Sequence, residues 1–386
     1  MKFTFGNLPS IGWQEPTGRL VELAQRAEAA GFDRFGVSDW RFYQDCFVVM
    51  TACLQGTSRL EVESLVTDPY VRHPSLTAVA LATLDELSNG RAIMGIGGGI
   101  EQPAFWGESR PHPVDAVRES VEICRRMWRG EEANLDGKVM RVRAARLHFV
   151  APRPDIRVLI AARGRRMLEL AGELADIVHL ASFFVNVEHH RENLAAVHSG
   201  AQRAGRASGS FEIDISMPCS ISDDREAARQ AARRPAAQGI LWTAAAERYS
   251  RDRTDWVRPA QFRVPDDVVE ALSSRWDFWT QAQFPSELAE LITDDILDEF
   301  ALAGTAEECA ARLLDIQHAL PEVTGLRIYA VPPAGQSLYQ GYVEMIGQFE
   351  RVIRLVNSPT VVSARSSAEN WNRQCCGGRT PFKGLG

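Results

Sequence analysis

The chain has 386 residues, 45% hydrophobic and 24% charged, with a formal net charge of −7. This composition is globular, with enough apolar residues for a sizeable core, and the length suits one large barrel or two ordinary domains. The acidic balance gives no field that favours nucleic acid or an anionic membrane, and no apolar run approaches the roughly 20 residues of a membrane-spanning helix.

The chain opens on strand-like alternation at Lys2–Phe5 without a signal-peptide pattern, so a cytoplasmic location is expected. Thr17 is placed to cap a helix in which Leu20, Leu23, Ala24, Ala27 and Ala30 share a face, closed by Gly31. Arg34–Ser38 is a second strand running into Asp39-Trp40, and a helical segment follows over Phe47–Leu54. Leu60–Thr67 is a third strand, stopped at Asp68-Pro69 because proline cannot donate to a ladder. Pro74 suits the first turn of a helix; Leu76, Val79, Ala80, Thr83, Leu84 and Leu87 then recur at helical steps, which predicts one buried face, and Asn89-Gly90 ends it. Ala92–Ile96 is a fourth strand, with Gly97, Gly98 and Gly99 directly after it. Val114, Val117, Val121, Cys124 and Trp128 mark the next helix, and Asp136-Gly137 within Asn134–Phe149 marks a hairpin inserted between units.

Val158–Ala161 is a fifth strand, followed by Ala162-Arg163-Gly164-Arg165-Arg166 and a helix over Met167–Leu174. Ile177–Ala181 and Glu212–Ile221 are the sixth and seventh strands, with a helix over Val187–Ala204 between them. Residues 223–302 are helical in pattern, rich in Trp and Arg, and without a clear strand, so they read as an insertion over the site lacking a core of its own. Thr305 to Glu308 is a capping box, Leu326–Val331 is strand eight, and a final helix carries Leu338, Tyr342, Met345, Phe349, Val352 and Val356 on one side. Eight strands alternating with helices predict an α/β fold, a (β/α)8 TIM barrel over residues 1–360 with a helical insertion between strands seven and eight. A doubly wound open sheet is the alternative, and residues 361–386 are expected to be a disordered tail.

In a barrel the residues just after each strand converge on one mouth. Asp39 there is either a surface cap or a ligand partner, Trp40 either stacks on a substrate or packs, and Glu101 is a proton donor if buried. The loop GIGGG has GxGGG rather than GxGxxG spacing; as a barrel loop, its glycines let backbone approach a flat ring. Arg163 and its neighbours at a helix start form the best anion site, or else a solvated basic turn. His189-His190 reads as solvated, the seven cysteines lack CxxC pairs, Cys46 and Cys53 read as reduced core residues, and no metal site is expected.

These segments resemble the luciferase-like (bacterial luciferase superfamily) oxidoreductases, in the coenzyme F420-dependent branch that includes methylenetetrahydromethanopterin reductase. The likeness runs from Phe3 to about Val356 and is carried by VSDW, VTDPYVRHP, ATLDELSNGRAIMGIGGG, AARGRRMLELAGELAD and GTAEECAARL. It implies that Asp39 contacts the deazaflavin ring and that Leu65-Val66 matches a bulge with a non-prolyl cis peptide behind it. It further implies that Asp68 faces the ring's pyrimidine edge, that Gly97, Gly98 and Gly99 border the ring, and that Ala162, Arg163 and Gly164 present backbone to the coenzyme phosphate. A homodimer is implied as well. Two positions depart from the family: Trp40 stands where some members have a histidine, and Ile100 stands at the acidic position, with Glu101 one step away.

The expected function is hydride transfer between F420 and a C=O, C=N or C=C carbon of a small-molecule substrate. Asp39 and Glu101 are the catalytic candidates, Trp40 and Trp242 the substrate-binding ones, and Trp242, Trp256, Trp276 and Trp279 of the insertion would roof the pocket. The rival readings are an FMN-dependent monooxygenase on the same barrel and a coenzyme-binding protein without catalysis.

Overall fold

The computed structural model describes residues 1–10, 12–40, 42–99, 110–244, 258–277 and 284–358. Eight parallel strands form the barrel: β1 Lys2–Leu8, β2 Arg34–Val37, β3 Glu61–Ser64, β4 Ala92–Gly97, β7 Val158–Ala162, β8 Ile177–Leu180, β9 Glu212–Ile221 and β11 Gly325–Ala330. They pair in that order, β11 returns to β1, and β8 pairs with β9, so the sheet closes on itself. The remaining strands are the antiparallel hairpin β5 Ala133–Asp136 and β6 Arg141–Ala145, and the short β10 Leu302–Gly304 on the free end of β9. The expected barrel and hairpin are therefore present. The expected tail at 361–386 lies outside the described residues.

Local signals act where the sequence puts them. Asn89 ends the helix Pro74–Ser88 in a left-handed conformation, and Thr305 with Glu308 forms a reciprocal capping box. Thr17 is the exception: Pro16 occupies the cap position and Thr17 is the first helical residue.

The helix Pro74–Ser88 buries a different face from the one predicted. Thr77, Ala78, Leu81, Ala82, Leu84, Asp85 and Ser88 face inward, whereas Leu76, Val79, Thr83 and Leu87 are exposed and Ala80 is half-buried. The helix is apolar on both sides, so periodicity alone cannot choose between them. The small residues Ala78 and Ala82 let it lie close against its neighbours, and Asp85 is held inside by a two-pronged bond from Arg153 at 2.8 and 2.9 Å.

Residues 223–302 depart from expectation as well. Their helices Arg225–Ala244, Asp266–Arg275, Ser286–Ala289 and Asp294–Asp298 enclose a hydrophobic cluster of their own around Ile240, Leu241, Trp242, Leu272, Trp276 and Phe300. Trp256 and Trp279 lie outside the described residues.

The barrel interior is layered. Its lower half holds ions: Asp214 on β9 accepts from Arg34 on β2 at 2.8 Å and from Arg327 on β11 at 2.7 Å, and Arg327 also pairs with Glu63 on β3. Arg34 further bonds Glu61 and Glu212. Burial pushes the Asp214 carboxyl up to about 6 against the pull of Arg34. Burial disfavours the Arg34 charge too, but its three carboxylate partners outweigh that and raise it. Beside the ions, Ile93, Leu159 and Ile177 form a small apolar cluster with Val66 and Ala161, Ile93 pairing in register with Glu63 and Ile177 with Glu212. Removing one member of such a cluster leaves its partners charged and buried. Asp214→Ala should destabilise the fold by about 3–5 kcal/mol; urea unfolding followed by circular dichroism checks this, and a loss within experimental error would contradict it.

Candidate functional site

At the mouth, β2 ends in Asp39, whose carboxylate accepts the Thr67 hydroxyl at 2.6 Å. Burial holds the Asp39 carboxyl above its ordinary range; the Thr67 bond opposes this and the Asp68 charge adds to it. Thr67 is positioned by the turn that follows β3, where the Leu65-Val66 peptide is cis, as the resemblance implied. The Leu65 side chain crosses the barrel interior to Gly6 and Gly36. A Cβ at Gly36 would stand 2.6 Å from its Cδ2, so glycine is required for that approach.

Gly97 lies beside Val66, and Gly98 faces Pro113 and Met167. Gly99 adopts φ +69, and a Cβ there would strike Arg110 at 2.0 Å. That Arg110 bonds the Asp68 carboxylate at 3.2 Å. The other Asp68 oxygen accepts the backbone N–H groups of Tyr70 and Val71 at 2.9 and 3.1 Å. Asp68 thus carries a turn and an ion pair. Glu101 lies outside the described residues.

Across the barrel, β7 ends at Ala162, whose carbonyl accepts from Ala181 at 3.0 Å. Gly164 then occupies the cap position of the helix Arg165–Leu174 with no side-chain cap, and a Cβ added there would meet nothing within 4 Å. The first N–H groups of this helix therefore point to an open, anion-favouring end. Arg163 turns its side chain inward, bonding the Ala181 carbonyl and lying over Phe183 at 5.1 Å and Trp242 at 4.8 Å. Arg163 and Trp242 come together with Ser182, His189, Asn193 and Thr243 around a small cavity beneath the helix Arg225–Ala244. Trp40 sits at the β2 side of the mouth, edge-on to Tyr43 at 6.2 Å.

The structure adds residues that sequence reasoning passed over. His179 on β8, Ser216 on β9 and Tyr329 on β11 alternate with outward-facing core residues and so point into the barrel near its mouth. Burial pushes the His179 imidazole down to about 3, with the Arg163 charge adding to it. Burial likewise raises the Tyr329 phenol, against the Arg163 charge. The strict in–out alternation of Ile177–Leu180 was the available signal, and the apolar neighbours concealed it. The expected solvated pair is corrected too: His190 is fully buried on the helix face that carries Leu194 and Val197 into the core, and His189 is half-buried at the cavity beside Trp242.

Comparison with known proteins gives the following. A family model described as luciferase-like monooxygenase matches residues 2–322. The 5,10-methylenetetrahydromethanopterin reductase of Methanolobus tindarius is 30% identical over 317 residues, which is 78% of this chain and 88% of that protein. The F420-dependent glucose-6-phosphate dehydrogenase of Mycolicibacterium fortuitum is 33% identical over 225 residues, 54% of this chain and 66% of that protein. The solved structure of coenzyme F420-dependent tetrahydromethanopterin reductase from Methanopyrus kandleri matches with a TM-score of 0.70 at 23% identity, over 90% of this chain and 97% of that one. This last likeness is one of fold.

Proposed function

The chain belongs to the luciferase-like monooxygenase family, and from that premise we propose that it is an F420-dependent oxidoreductase acting by hydride transfer on a small organic substrate. The observation that carries this reading is the pairing of two halves of one mouth. On one side a half-buried carboxyl, Asp39, bonds Thr67 beside the cis turn; on the other an uncapped helix start opens behind Gly164. The relatives named for F420 dependence support the choice of coenzyme.

The residues present fit such a coenzyme in chemistry. The uncapped N–H groups after Gly164 suit its phosphate, and Gly97 to Gly99 admit a flat ring close to backbone. Bound F420 supplies a two-electron hydride carrier. The protein's part is to hold ring and substrate in contact and to exclude water. Asp39, kept in place by Thr67, hydrogen-bonds the ring; Leu65 and Val66 support its rear; Ala162, Arg163 and Gly164 face the phosphate. Asp68 braces the glycine loop through Arg110 rather than reaching the ring with its full carboxylate. Trp40 and Trp242 bound the substrate space, which the 223–302 segment roofs, and Glu101 remains the proposed proton donor. The buried, unpaired Cys46, Cys53, Cys124, Cys219 and Cys309 suit the reducing cytoplasm.

We also propose a homodimer. Leu76, Val79 and Leu87 are exposed beside Val48 of the adjoining helix Cys46–Gly56, and Gln55 ties the two helices by a 3.0 Å bond to the Leu87 carbonyl. A contiguous exposed apolar face of this kind marks an association surface. Sedimentation velocity at micromolar concentration should show a dimer that Leu76→Asp with Leu87→Asp converts to monomer; a monomeric wild type would contradict it.

The functional reading is tested by turnover with reduced F420 across aldehydes, ketones, imines and activated alkenes, with oxygen monitored throughout. Substrate-dependent F420 oxidation without oxygen uptake is expected. Oxygen consumption with reduced FMN and none of that hydride exchange would instead identify a flavin monooxygenase.

A further inference from the structure

We propose that His179, Ser216 and Tyr329 form a substrate subsite that receives an oxygen acceptor, a carbonyl or carboxylate oxygen, and rejects cationic nitrogen. This deepens the functional reading above and rests on it for the identity of the site. Three adjacent strands of the closed sheet, β8, β9 and β11, carry these residues, opposite the β2 wall that bears Asp39. Gly97 pairs with Ala161, Ala161 with His179 and His179 with Asp214, so His179 lies on the line from the glycine loop to the ion cluster. Ser216 pairs in register with Arg327 and stands two residues above Asp214, which places it just over the ion layer.

Their hydrogen-bonding state is what points to a ligand. His179 is 2% exposed and Ser216 1% exposed. Neither ring nitrogen of His179 has a hydrogen-bond partner among the described residues, while the Ser216 hydroxyl faces the Tyr329 phenol and opposes the effect of burial on it. Buried polar groups are paired in the great majority of cases, and leaving one unpaired is costly, so His179, beside the Ser216–Tyr329 pair on the neighbouring strands, is poised for a partner from outside the chain.

The chemistry of the wall selects the partner. A neutral imidazole offers one N–H, and serine and tyrosine each offer an O–H. Arg163 adds positive charge at the same wall: it lies over Phe183, whose ring is 5.4 Å from that of Tyr329. The imidazole N–H and the O–H left over from the Ser216–Tyr329 pair, backed by a guanidinium, favour an oxygen lone pair and repel an ammonium or iminium group. Among C=O, C=N and C=C substrates, this wall therefore selects the carbonyl class and its carboxylate-bearing relatives.

The test uses the full chain labelled with 15N-histidine, with the His179 ring signals assigned by their loss in His179→Gln. Acetate and acetamide are titrated as oxygen probes and ethylammonium as the cation. Saturable movement of the His179 signals with both oxygen probes and none with ethylammonium is expected, with binding weakened about 5- to 10-fold in Ser216→Ala and in Tyr329→Phe. If His179 ignores the oxygen probes, or answers ethylammonium equally, the proposal is overturned. The wild-type selectivity alone decides should either variant fail to fold. An F420 titration on the same sample separates the two readings. Coenzyme binding without an oxygen-probe response overturns only the subsite, and the reverse result overturns only the coenzyme.

Discussion

The mouth of this barrel depends on an ionic lock below it. Asp214 takes bonds from Arg34 and Arg327 and thereby ties β9 to β2 and β11, strands that are not all neighbours in the sheet. Through Arg327 the same cluster reaches Glu63 on β3. Charges buried this deeply are tolerated only when mutually paired, so the cluster sets the relative heights of four strands rather than merely filling space. The apolar cluster of Ile93, Leu159 and Ile177 lies beside it in register, and the residues of the mouth follow further along the same strands.

Above this foundation the two walls have different characters. The β2–β4 side is shaped by backbone: the cis turn at Leu65-Val66, the glycine loop, and the Asp68–Arg110 pair that holds that loop down. The β7–β11 side is shaped by side chains: Arg163 under Trp242, then His179, Ser216 and Tyr329. The first wall allows close backbone approach at its glycines, and the second presents polar side chains. The segment 223–302 is joined to the second wall by Trp242, which links its hydrophobic cluster to Arg163.

Much of the architecture was legible in the sequence. Parallel strands buried on both sides read as short apolar runs, and the turn and cap residues between them, Asn89 and Thr305 among them, mark the element ends. Asp39, Gly97 and Gly164 were legible as mouth residues because each follows a strand. Three things were not. The helix Pro74–Ser88 is apolar on two faces, and only its tertiary neighbours determine which is buried. Arg34, Glu63 and Arg327 look like surface charges in a strand until the barrel closes around them. His179 looks like one histidine in an apolar run, and its orphaned ring becomes visible only when Ser216 and Tyr329 arrive from distant parts of the chain. Asp68 carries a pairing the sequence did not announce, since its partner Arg110 stands 42 residues away.

The most direct measurement is a paired titration of intrinsic tryptophan fluorescence with F420 and with FMN in matched buffers. Trp40 and Trp242 stand on opposite sides of the mouth, and Trp242 lies against Arg163, so occupation of the site should be reported by their quenching. Saturable quenching by F420 at concentrations where FMN has little effect is the predicted result. Preferential quenching by FMN, or none by either coenzyme, would contradict the account.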